Sequence, residues 1–591
     1  MTRLNLHILL AACGLLTAVW HQASRADDLL RLVDGNAAAC LHVQGLTQSI
    51  TKVEKSEFAK RVRAAEFYSK WLKSPEYRHL LGAGAMVTAV SGSPVRNTIE
   101  ALFGREFVVS LHVSSGAAPT GTLILKMDEA TIQKLLTIWD RTDKQIRTEI
   151  DHNGTPYFSS RSANNQQLPP MFYVVLDEVF AISNDESRIR QAIDFSKDEA
   201  KVPAESLARN ADFEPATWRR DKTEVMAVYL NPRAFDSFVS ADGDVPSFAR
   251  SAWKQCRWLT FRSLFEKDKL QFQLIADYDS QASPDWWTRW VRLQAERKLP
   301  LSQVPSSALL TMSGHVATTS IRDLLKSATG NEDALSQNIR QVRRVLAGLL
   351  LGADPLDDLL PMLGPRLLFY SVPRKPAESA AFPLDGLITI DLQLNGTDAE
   401  KSRTKAGLQN ALKSGLNALA AIHNAKTKGE LSVLREEAAS DTTVFWAEPV
   451  TSFRPAFAVT NRNLVLATDP KICEAFIAKE AKSFADRTAR ENPPAMADNN
   501  QLILASPAET RKLLETHSAW FIRKASRDNV DEVEAKERLA KLKDTLSIID
   551  SAWFSVSGDS DTLTATIGAS VKSESSPTRS LLPPGERGQR D

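Results

Sequence analysis

Cysteine is scarce in this chain of 591 residues: there are four, and no two of them are spaced as Cys-x-x-Cys. Cys40, Cys256 and Cys473 lie beyond the N-terminal segment, and this odd number excludes a complete disulfide framework. One bridge between Cys40 and Cys256 is possible in an oxidising compartment. We favour buried free thiols, because cysteine is among the residue types most often found in protein interiors.

The local spacings typical of catalytic and metal sites are also missing. The sequence has no His-Glu-x-x-His, no Gly-x-Ser-x-Gly and no Gly-Lys-Ser/Thr, the usual traces of a zinc site, a nucleophilic serine and a phosphate loop. Gly82 and Gly84 lack the third glycine of a dinucleotide-binding loop. We therefore predict no metal and no cofactor, and we assign no catalytic residue.

An excess of charge of either sign is absent. Lys and Arg number 73 and Asp and Glu number 72, so the net charge is +1 and no overall field exists to attract nucleic acid. The hydrophobic share of 43% and the charged share of 25% are those of a globular protein, which excludes a collagen-like or wholly disordered chain. The length predicts at least two large domains.

A long apolar run occurs at the N-terminus alone. Arg3 precedes residues 4–20, which are mostly apolar, and Ser24 and Ala26 supply the small side chains of a cleavage site. This order predicts a signal peptide over residues 1–26 and a periplasmic, cell-surface or secreted protein. Two alternatives remain open: lipidation at Cys13, and an uncleaved membrane anchor. We expect no transmembrane helix after this segment.

The sequence contains an internal similarity. Residues 170–183 (PMFYVVLDEVFAIS) align without gaps to residues 455–468 (PAFAVTNRNLVLAT), and each segment leads through Asp185 or Asp469 into a helical pattern. Three further landmarks recur in the same order, around Gly45 and Gly314, Gly104 and Gly364, and Pro232 and Pro507. We predict two tandem copies, over residues 34–277 and 305–571, followed by a disordered tail over residues 572–591.

Local patterns predict an α+β fold, with two copies of a mixed, mainly antiparallel sheet and helices packed on one face. Helical spacing over residues 58–72 predicts one helix that ends before Pro75. Asp128 is expected to cap a helix, and Thr397 and Glu400 are expected to form a capping box. β-rich residues 107–113 and 123–127 flank a Gly- and Pro-containing loop, which indicates a hairpin.

A tryptophan-rich helix is predicted between the copies, over residues 278–304. It carries Trp286, Trp287 and Trp290, with arginines among them. These side chains are a candidate apolar or interface surface, and a membrane interface is one possible environment. We favour docking of the helix onto one or both copies, because the segment is short and its charge is modest.

With these landmarks, the chain resembles the exported bacterial proteins that form a family of unknown function. The shared features are the signal peptide, the Phe-Gly or Leu-Gly that ends a helix before a strand (Phe103-Gly104 and Leu363-Gly364), and a strand pair that leads into Asn184-Asp185 or Thr468-Asp469. The resemblance implies no activity.

These observations favour an exported, non-enzymatic protein that binds an envelope partner or an apolar ligand. The residues kept in both copies are glycine, proline and apolar residues, which build a fold rather than an active site. One alternative is an extracytoplasmic hydrolase with a dispersed site, which requires His79, His152, His315 or carboxylates to converge. Another is envelope lipid handling.

Overall fold

The computed structural model describes residues 29–571 with internal gaps. The residues outside the description are 1–28, 114–117, 143, 166, 168, 198–204, 211–223, 237–252, 267, 280–302, 316–317, 330–336, 338–339, 342, 345–346, 349–353, 375–382, 395, 427–431, 441, 449–453, 479–500, 528–529, 559–560 and 572–591. The predicted signal peptide, the tryptophans of the linker helix and the predicted tail therefore lie outside the described residues.

Twenty strands form one antiparallel sheet. The first ten, which we call the first strand series, are β1 (Ala39–Gln44), β2 (Glu106–His112), β3 (Thr120–Lys126), β4 (Gln145–His152), β5 (Thr155–Ser162), β6 (Met171–Leu176), β7 (Val179–Ser183), β8 (Glu224–Leu230), β9 (Cys256–Glu266) and β10 (Lys269–Tyr278). The second strand series is β11 (Leu310–His315), β12 (Leu363–Pro373), β13 (Leu384–Leu392), β14 (Val433–Ala439), β15 (Thr442–Glu448), β16 (Ala456–Val459), β17 (Asn463–Ala467), β18 (Gln501–Ala505), β19 (Ser551–Gly558) and β20 (Thr562–Ser570).

The two series have the same strand order. The first runs β4-β5-β6-β7-β3-β2-β1-β8-β9-β10 across the sheet. The second runs β14-β15-β16-β17-β13-β12-β11-β18-β19-β20. The antiparallel pair of β10 with β20 joins them into one sheet. The α+β class and the antiparallel pairing are confirmed, whereas the origin of the series in a tandem duplication remains a prediction.

The helices that bear on the site and core lie between these strands. They are α1 (Leu46–Lys55), α2 (Glu57–Ala64), α3 (Glu66–Trp71), α4 (Pro75–Ser91), α5 (Val95–Phe103), α6 (Glu129–Thr142), α7 (Glu186–Ser196), α8 (Thr318–Thr329), α9 (Asp398–Lys426), α10 (Pro470–Ile477), α11 (Pro507–Thr516), α12 (Ser518–Arg527) and α13 (Glu532–Ser547). Short 3-10 turns occupy Leu29–Leu32, Leu207–Arg209, Pro232–Phe235 and Leu360–Met362, and a π turn occupies Pro355–Leu359. Among the described residues, no helix has the length and apolar composition that crossing a bilayer requires.

Helices cover both faces of the sheet, rather than the single face that the sequence predicts. Phe107 and Val108 are neighbours in β2 and therefore point to opposite faces. Phe107 lies in a core with residues of α1, α5 and α6, and Val108 lies in a core with residues of α7. In the second series, Phe445 packs with α9 and its neighbour Val444 with α10. The periodicity of a strand shows that both faces are apolar but does not show which helix covers each.

The predicted helix caps are present. The backbone N–H of Thr131 donates to Asp128 Oδ1 at 2.8 Å. The backbone N–H of Thr397 donates to Glu400 Oε2 at 2.7 Å, and that of Glu400 donates to Thr397 Oγ1 at 3.4 Å, which is the reciprocal pattern of a capping box. The predicted hairpin over residues 107–127 is the antiparallel pair β2–β3.

The single helix predicted over residues 58–72 is instead a set of short helices. Ala65, between α2 and α3, has the extended backbone of φ −69° and ψ 140°. The chain then bends again, and the Ser74 side chain accepts from the N–H of Tyr77 as the N-cap of α4. Pro75 begins that helix rather than ending the preceding one, because proline at the first helical position loses no hydrogen bond.

Candidate functional site

The histidines proposed for a dispersed hydrolase site lie on three separate elements. His79 lies on α4, His152 ends β4, and His315 ends β11 and is fully buried. His152 Nε2 is 3.0 Å from Asp194 Oδ1 on α7. Within the described ranges, no group of three or more His, Cys, Asp and Glu residues is placed to hold a metal ion.

The three described cysteines are free and buried, so the possible bridge between Cys40 and Cys256 is not formed. Burial raises the pKa of Cys256 to about 12 and the pKa of Cys473 to about 12. The Cys256 thiol donates to the carbonyl of Trp258 at 3.3 Å. Because a thiolate is the nucleophilic form, these two thiols are inert at neutral pH.

Glu106 on β2 organises a buried polar cluster. Its Oε1 is 2.8 Å from His42 Nε2 on β1 and accepts from Gln44 Nε2 at 3.0 Å. The backbone N–H of Leu29 donates to the same oxygen at 3.5 Å. His42 and Glu106 are 4% and 6% exposed, so substrate has no access to the pair. This cluster ties the N-terminal turn to β1 and β2.

A second buried group surrounds His112 at the end of β2. Its Nε2 is 3.9 Å from Asp34 Oδ2, and Asp34 pairs with Arg188 on α7. Neither ring nitrogen of His112 has a hydrogen-bond partner among the described residues. Burial, together with the Arg188 charge, lowers the pKa of His112 to about 4, against the opposing effects of Asp34 and Asp185.

We expect His112 to make stability fall as the pH drops from about 6.5 to about 4. In this window the unfolded chain binds a proton that the folded protein excludes, so protonation favours unfolding. Over the full window, wild type should lose up to about 3 kcal/mol more than His112→Gln. Urea unfolding of both proteins across the window measures the difference. Parallel pH profiles would contradict the assignment.

Exposed apolar side chains are concentrated on α3, the turn after it, and α4. We call this set the α3–α4 apolar surface; its exposed fractions are Phe67 41%, Trp71 41%, Leu72 36%, Leu80 39%, Leu81 54%, Met86 70% and Val87 41%. Ser91 is the one residue of α4 that is buried. Contiguous exposed apolar patches mark interaction sites, whereas isolated apolar side chains on a surface need no explanation.

A groove runs along one side of α4. Its described lining residues are Pro75, Arg78, His79, Gly82, Ala83 and Met86, and its volume is about 550 Å³. A Cβ at Gly82 would meet no atom within 4 Å, so the space beside this part of α4 is open. Arg78 and His79 provide polar groups near one end, as expected of an apolar site that orients its ligand.

Aromatic rings form the N-terminal end of this surface. The Trp71 ring centroid is 5.7 Å from that of Tyr68 and 4.8 Å from that of Tyr77. These contacts connect α3 to the first turn of α4 across the bend at Ser74. Tyr and Trp carry an apolar ring with a polar group, and are enriched where an apolar environment meets water.

Contacts with neighbouring parts of the chain hold the helices of the α3–α4 apolar surface in place. Arg61 Nη1 on α2 is 3.2 Å from Asp550 Oδ2, and the N–H of Glu66 donates to Asp544 Oδ2 on α13 at 2.8 Å. On the other side, α4 contacts α5 closely enough that a Cβ on Gly84 would lie 3.3 Å from Val95 Cγ2. The surface is therefore held in place while its outer side chains stay exposed.

The sequence-based interpretation missed this surface. It considered Gly82 and Gly84 only as an incomplete dinucleotide-binding loop, and the structure places both within α4. The sequence did contain one signal of this surface, because residues 80–95 include no charged residue. The tryptophans at 286, 287 and 290, predicted as the apolar surface, lie outside the described residues.

No curated protein matches this sequence. Three crystal forms of a protein named TP0453 match the fold at low similarity. Form IV is 11% identical with a TM-score of 0.23, covering 43% of this chain and 81% of that one. Form III is 9% identical with a TM-score of 0.24, covering 46% and 89%. Form I is 11% identical with a TM-score of 0.23, covering 45% and 85%. At these scores the likeness gives no basis for assigning a function.

The family comparison matches an internal region, which begins in β2 and ends at the start of β12, its counterpart in the second strand series. Of the residues quoted for the resemblance, Asn184-Asp185 and Leu363-Gly364 lie within this region, and Phe103-Gly104 and Thr468-Asp469 lie outside it. Residues 110–364 match the family described as "Protein of unknown function (DUF3352)", which confirms the predicted resemblance to a family of unknown function over this part of the chain.

Proposed function

We propose that this chain is a non-enzymatic binding protein of the cell envelope, and that the α3–α4 apolar surface holds its partner or apolar ligand. The observation that carries the proposal is the exposure of seven large apolar side chains within 21 consecutive residues, beside a groove of about 550 Å³. The location in the envelope is supported by the signal-peptide pattern of residues 1–26.

Several features favour binding over catalysis. His79, the histidine of the groove, lies on α4, while His152 contacts Asp194 on another helix. Cys256 and Cys473 are buried thiols with a pKa of about 12. An apolar groove with a few polar groups at one end suits a ligand held mainly by burial of its apolar surface. Envelope lipid handling is the second candidate, because the same surface could receive an acyl chain.

A hydrophobic dye tests whether this surface binds apolar molecules. We expect the double variant Leu81→Gln and Met86→Gln to bind 1-anilinonaphthalene-8-sulfonate about ten-fold more weakly than wild type, since each side chain contributes about 1.5–3 kcal/mol when fully buried. Dye fluorescence titrations of the full chain give the affinity, and circular dichroism confirms that the variant folds.

A matched control removes the same kind of surface elsewhere. Val533 and Leu542 on α13 are 63% and 47% exposed, and Val533→Gln with Leu542→Gln removes two exposed apolar side chains outside the α3–α4 apolar surface. This control should bind the dye as wild type does. Equal weakening in both double variants would show that dye binding is not specific to the α3–α4 apolar surface, and the proposal would fail.

A further inference from the structure

The part of α4 from residue 80 to residue 91 has no charged face, and its residues are nevertheless exposed or half-buried, except for the buried Ser91. Residues 80–91 contain no charged side chain. Leu81 and Met86 are five positions apart and therefore point about 140° away from each other on an α-helix, and they are 54% and 70% exposed. A helix that docks on a protein groove buries one stripe and leaves a polar face to water, whereas a helix that is apolar all round requires apolar surroundings on several sides.

The length of this apolar part decides between crossing a bilayer and lying in its surface. Twelve residues, 80–91, extend about 18 Å at 1.5 Å per residue. The hydrocarbon core of a bilayer is about 30 Å thick, so this part of α4 is too short to span it. A helix that does not span a bilayer can still lie at the boundary between headgroups and acyl chains, with its apolar side chains buried there.

The N-terminal end of α4 carries the groups that such a boundary favours. The rings of Tyr68, Trp71 and Tyr77 form one cluster there, and aromatic side chains of this kind are enriched at the headgroup level. Lys73 and Arg78 lie beside the rings and are exposed, with Glu76 as the acidic residue between them. The arrangement places polar and aromatic groups at one end and uncharged residues along the rest of the helix.

Charge is also locally positive. Residues 46–91, which form α1 to α4, contain eight Lys and Arg and four Glu, although the whole chain has a net charge of only +1. Juxtamembrane basic residues are attracted to anionic phospholipid headgroups. Asp550 and Asp544, which contact α2 and α3, reduce this excess, and the remaining positive charge complements an anionic bilayer rather than a neutral one.

We propose that α4 and the aromatic end of α3 lie in the surface of an anionic phospholipid bilayer, with Leu80, Leu81, Met86 and Val87 among the acyl chains and Lys73 and Arg78 at the headgroups. This inference rests on the proposed function and specifies the apolar partner as a lipid surface. The protein attaches to one face of the bilayer through a helix that does not cross it.

Flotation of the full chain with lipid vesicles tests the inference. Vesicles of phosphatidylethanolamine with phosphatidylglycerol are compared with vesicles of phosphatidylcholine alone. We expect binding to the anionic vesicles, a weakening of about ten-fold for Leu81→Gln with Met86→Gln, and wild-type binding for the control Val533→Gln with Leu542→Gln. Lys73→Gln with Arg78→Gln should weaken binding to the anionic vesicles by about ten-fold or more and should leave any binding to phosphatidylcholine unchanged.

The outcomes separate this inference from the proposed function. Dye binding that depends on Leu81 and Met86, without flotation of wild type, would overturn the bilayer inference and leave the proposed function standing. Light scattering that shows a dimer, converted to a monomer by Leu81→Gln with Met86→Gln, would identify a second copy as the occupant and also overturn it. Flotation that neither double variant weakens would place the lipid contact elsewhere and contradict the inference.

Discussion

Replacing Arg374 with methionine is expected to lower the free energy of unfolding by about 3–5 kcal/mol, because Asp385 would keep its charge in a buried site without its partner. Arg374 Nε donates to Asp385 Oδ1 and Oδ2 at 3.0 Å each. The two side chains are 12% and 10% exposed. The hydrogen bond to Asp385 raises the pKa of the Arg374 guanidinium above its usual value, so Arg374 keeps its positive charge.

The Arg374–Asp385 pair also connects several elements of the second strand series. Asp385 Oδ1 accepts from Thr468 Oγ1 at 3.0 Å, at the end of β17. His517, which follows α11, has its Nε2 3.1 Å from the carbonyl oxygen of Arg374. Loss of the guanidinium therefore loosens the end of the β12–β13 hairpin together with its two neighbours.

Urea unfolding measures this prediction, and two controls sharpen it. The double variant Arg374→Met with Asp385→Leu should recover much of the loss, because no buried charge is left unpaired. Arg435 and Glu448 form a pair with Nε 2.8 Å from Oε2, but they are 57% and 45% exposed. Arg435→Met should therefore cost at most about 1 kcal/mol. Equal costs for Arg374→Met and Arg435→Met would refute the role of burial.

Replacing Trp553 with alanine is expected to lower the free energy of unfolding by about 3–5 kcal/mol. Trp553 on β19 is 3% exposed and belongs to a core cluster of the second strand series. It lies directly opposite Gly568 on β20, where a Cβ would come within 2.2 Å of Trp553 Cζ2. The indole lies over the backbone of Gly568, so β19 and β20 can pair at this point only because position 568 has no side chain.

A double-mutant cycle tests this contact. Gly568→Ala should cost about 1–3 kcal/mol in wild type, because the buried indole has to move. In the Trp553→Ala background the same change should cost close to nothing, since the atom that the new methyl group would meet is gone. Chemical unfolding of the four proteins gives the coupling free energy. Additive costs would mean that the indole does not restrict position 568.

Sequence patterns predicted the local structure well where one side chain acts on a nearby backbone. Asp185 and Asp469 each lead into a helix, as predicted, and each accepts from the backbone N–H two residues later, at 2.9 Å. The Thr397 and Glu400 capping box and the Asp128 cap are equally local. Their hydrogen bonds span two or three residues, and such short spacings are visible in a sequence.

Contacts between distant residues could not be predicted in this way. Asp34 pairs with Arg188 across 154 residues, and β10 pairs with β20 through backbone atoms that carry no side-chain signature. The α3–α4 apolar surface was missed for another reason: apolar residues in a helix normally predict burial, and the sequence does not show that these side chains stay exposed. The contacts of His42 and His112 depend on the pairing of distant strands, which the sequence does not show.

The pairing order leaves β4 and β14 at the two ends of the sheet, since within the described ranges β4 pairs with β5 and β14 pairs with β15. Both strands are rich in charge: Arg147, Glu149 and Asp151 lie on β4, and Arg435, Glu436 and Glu437 lie on β14. An incoming strand from another molecule would have to desolvate these groups. Charge on the end strands of the described sheet therefore opposes the addition of a strand from another molecule and stacking edge to edge into fibres.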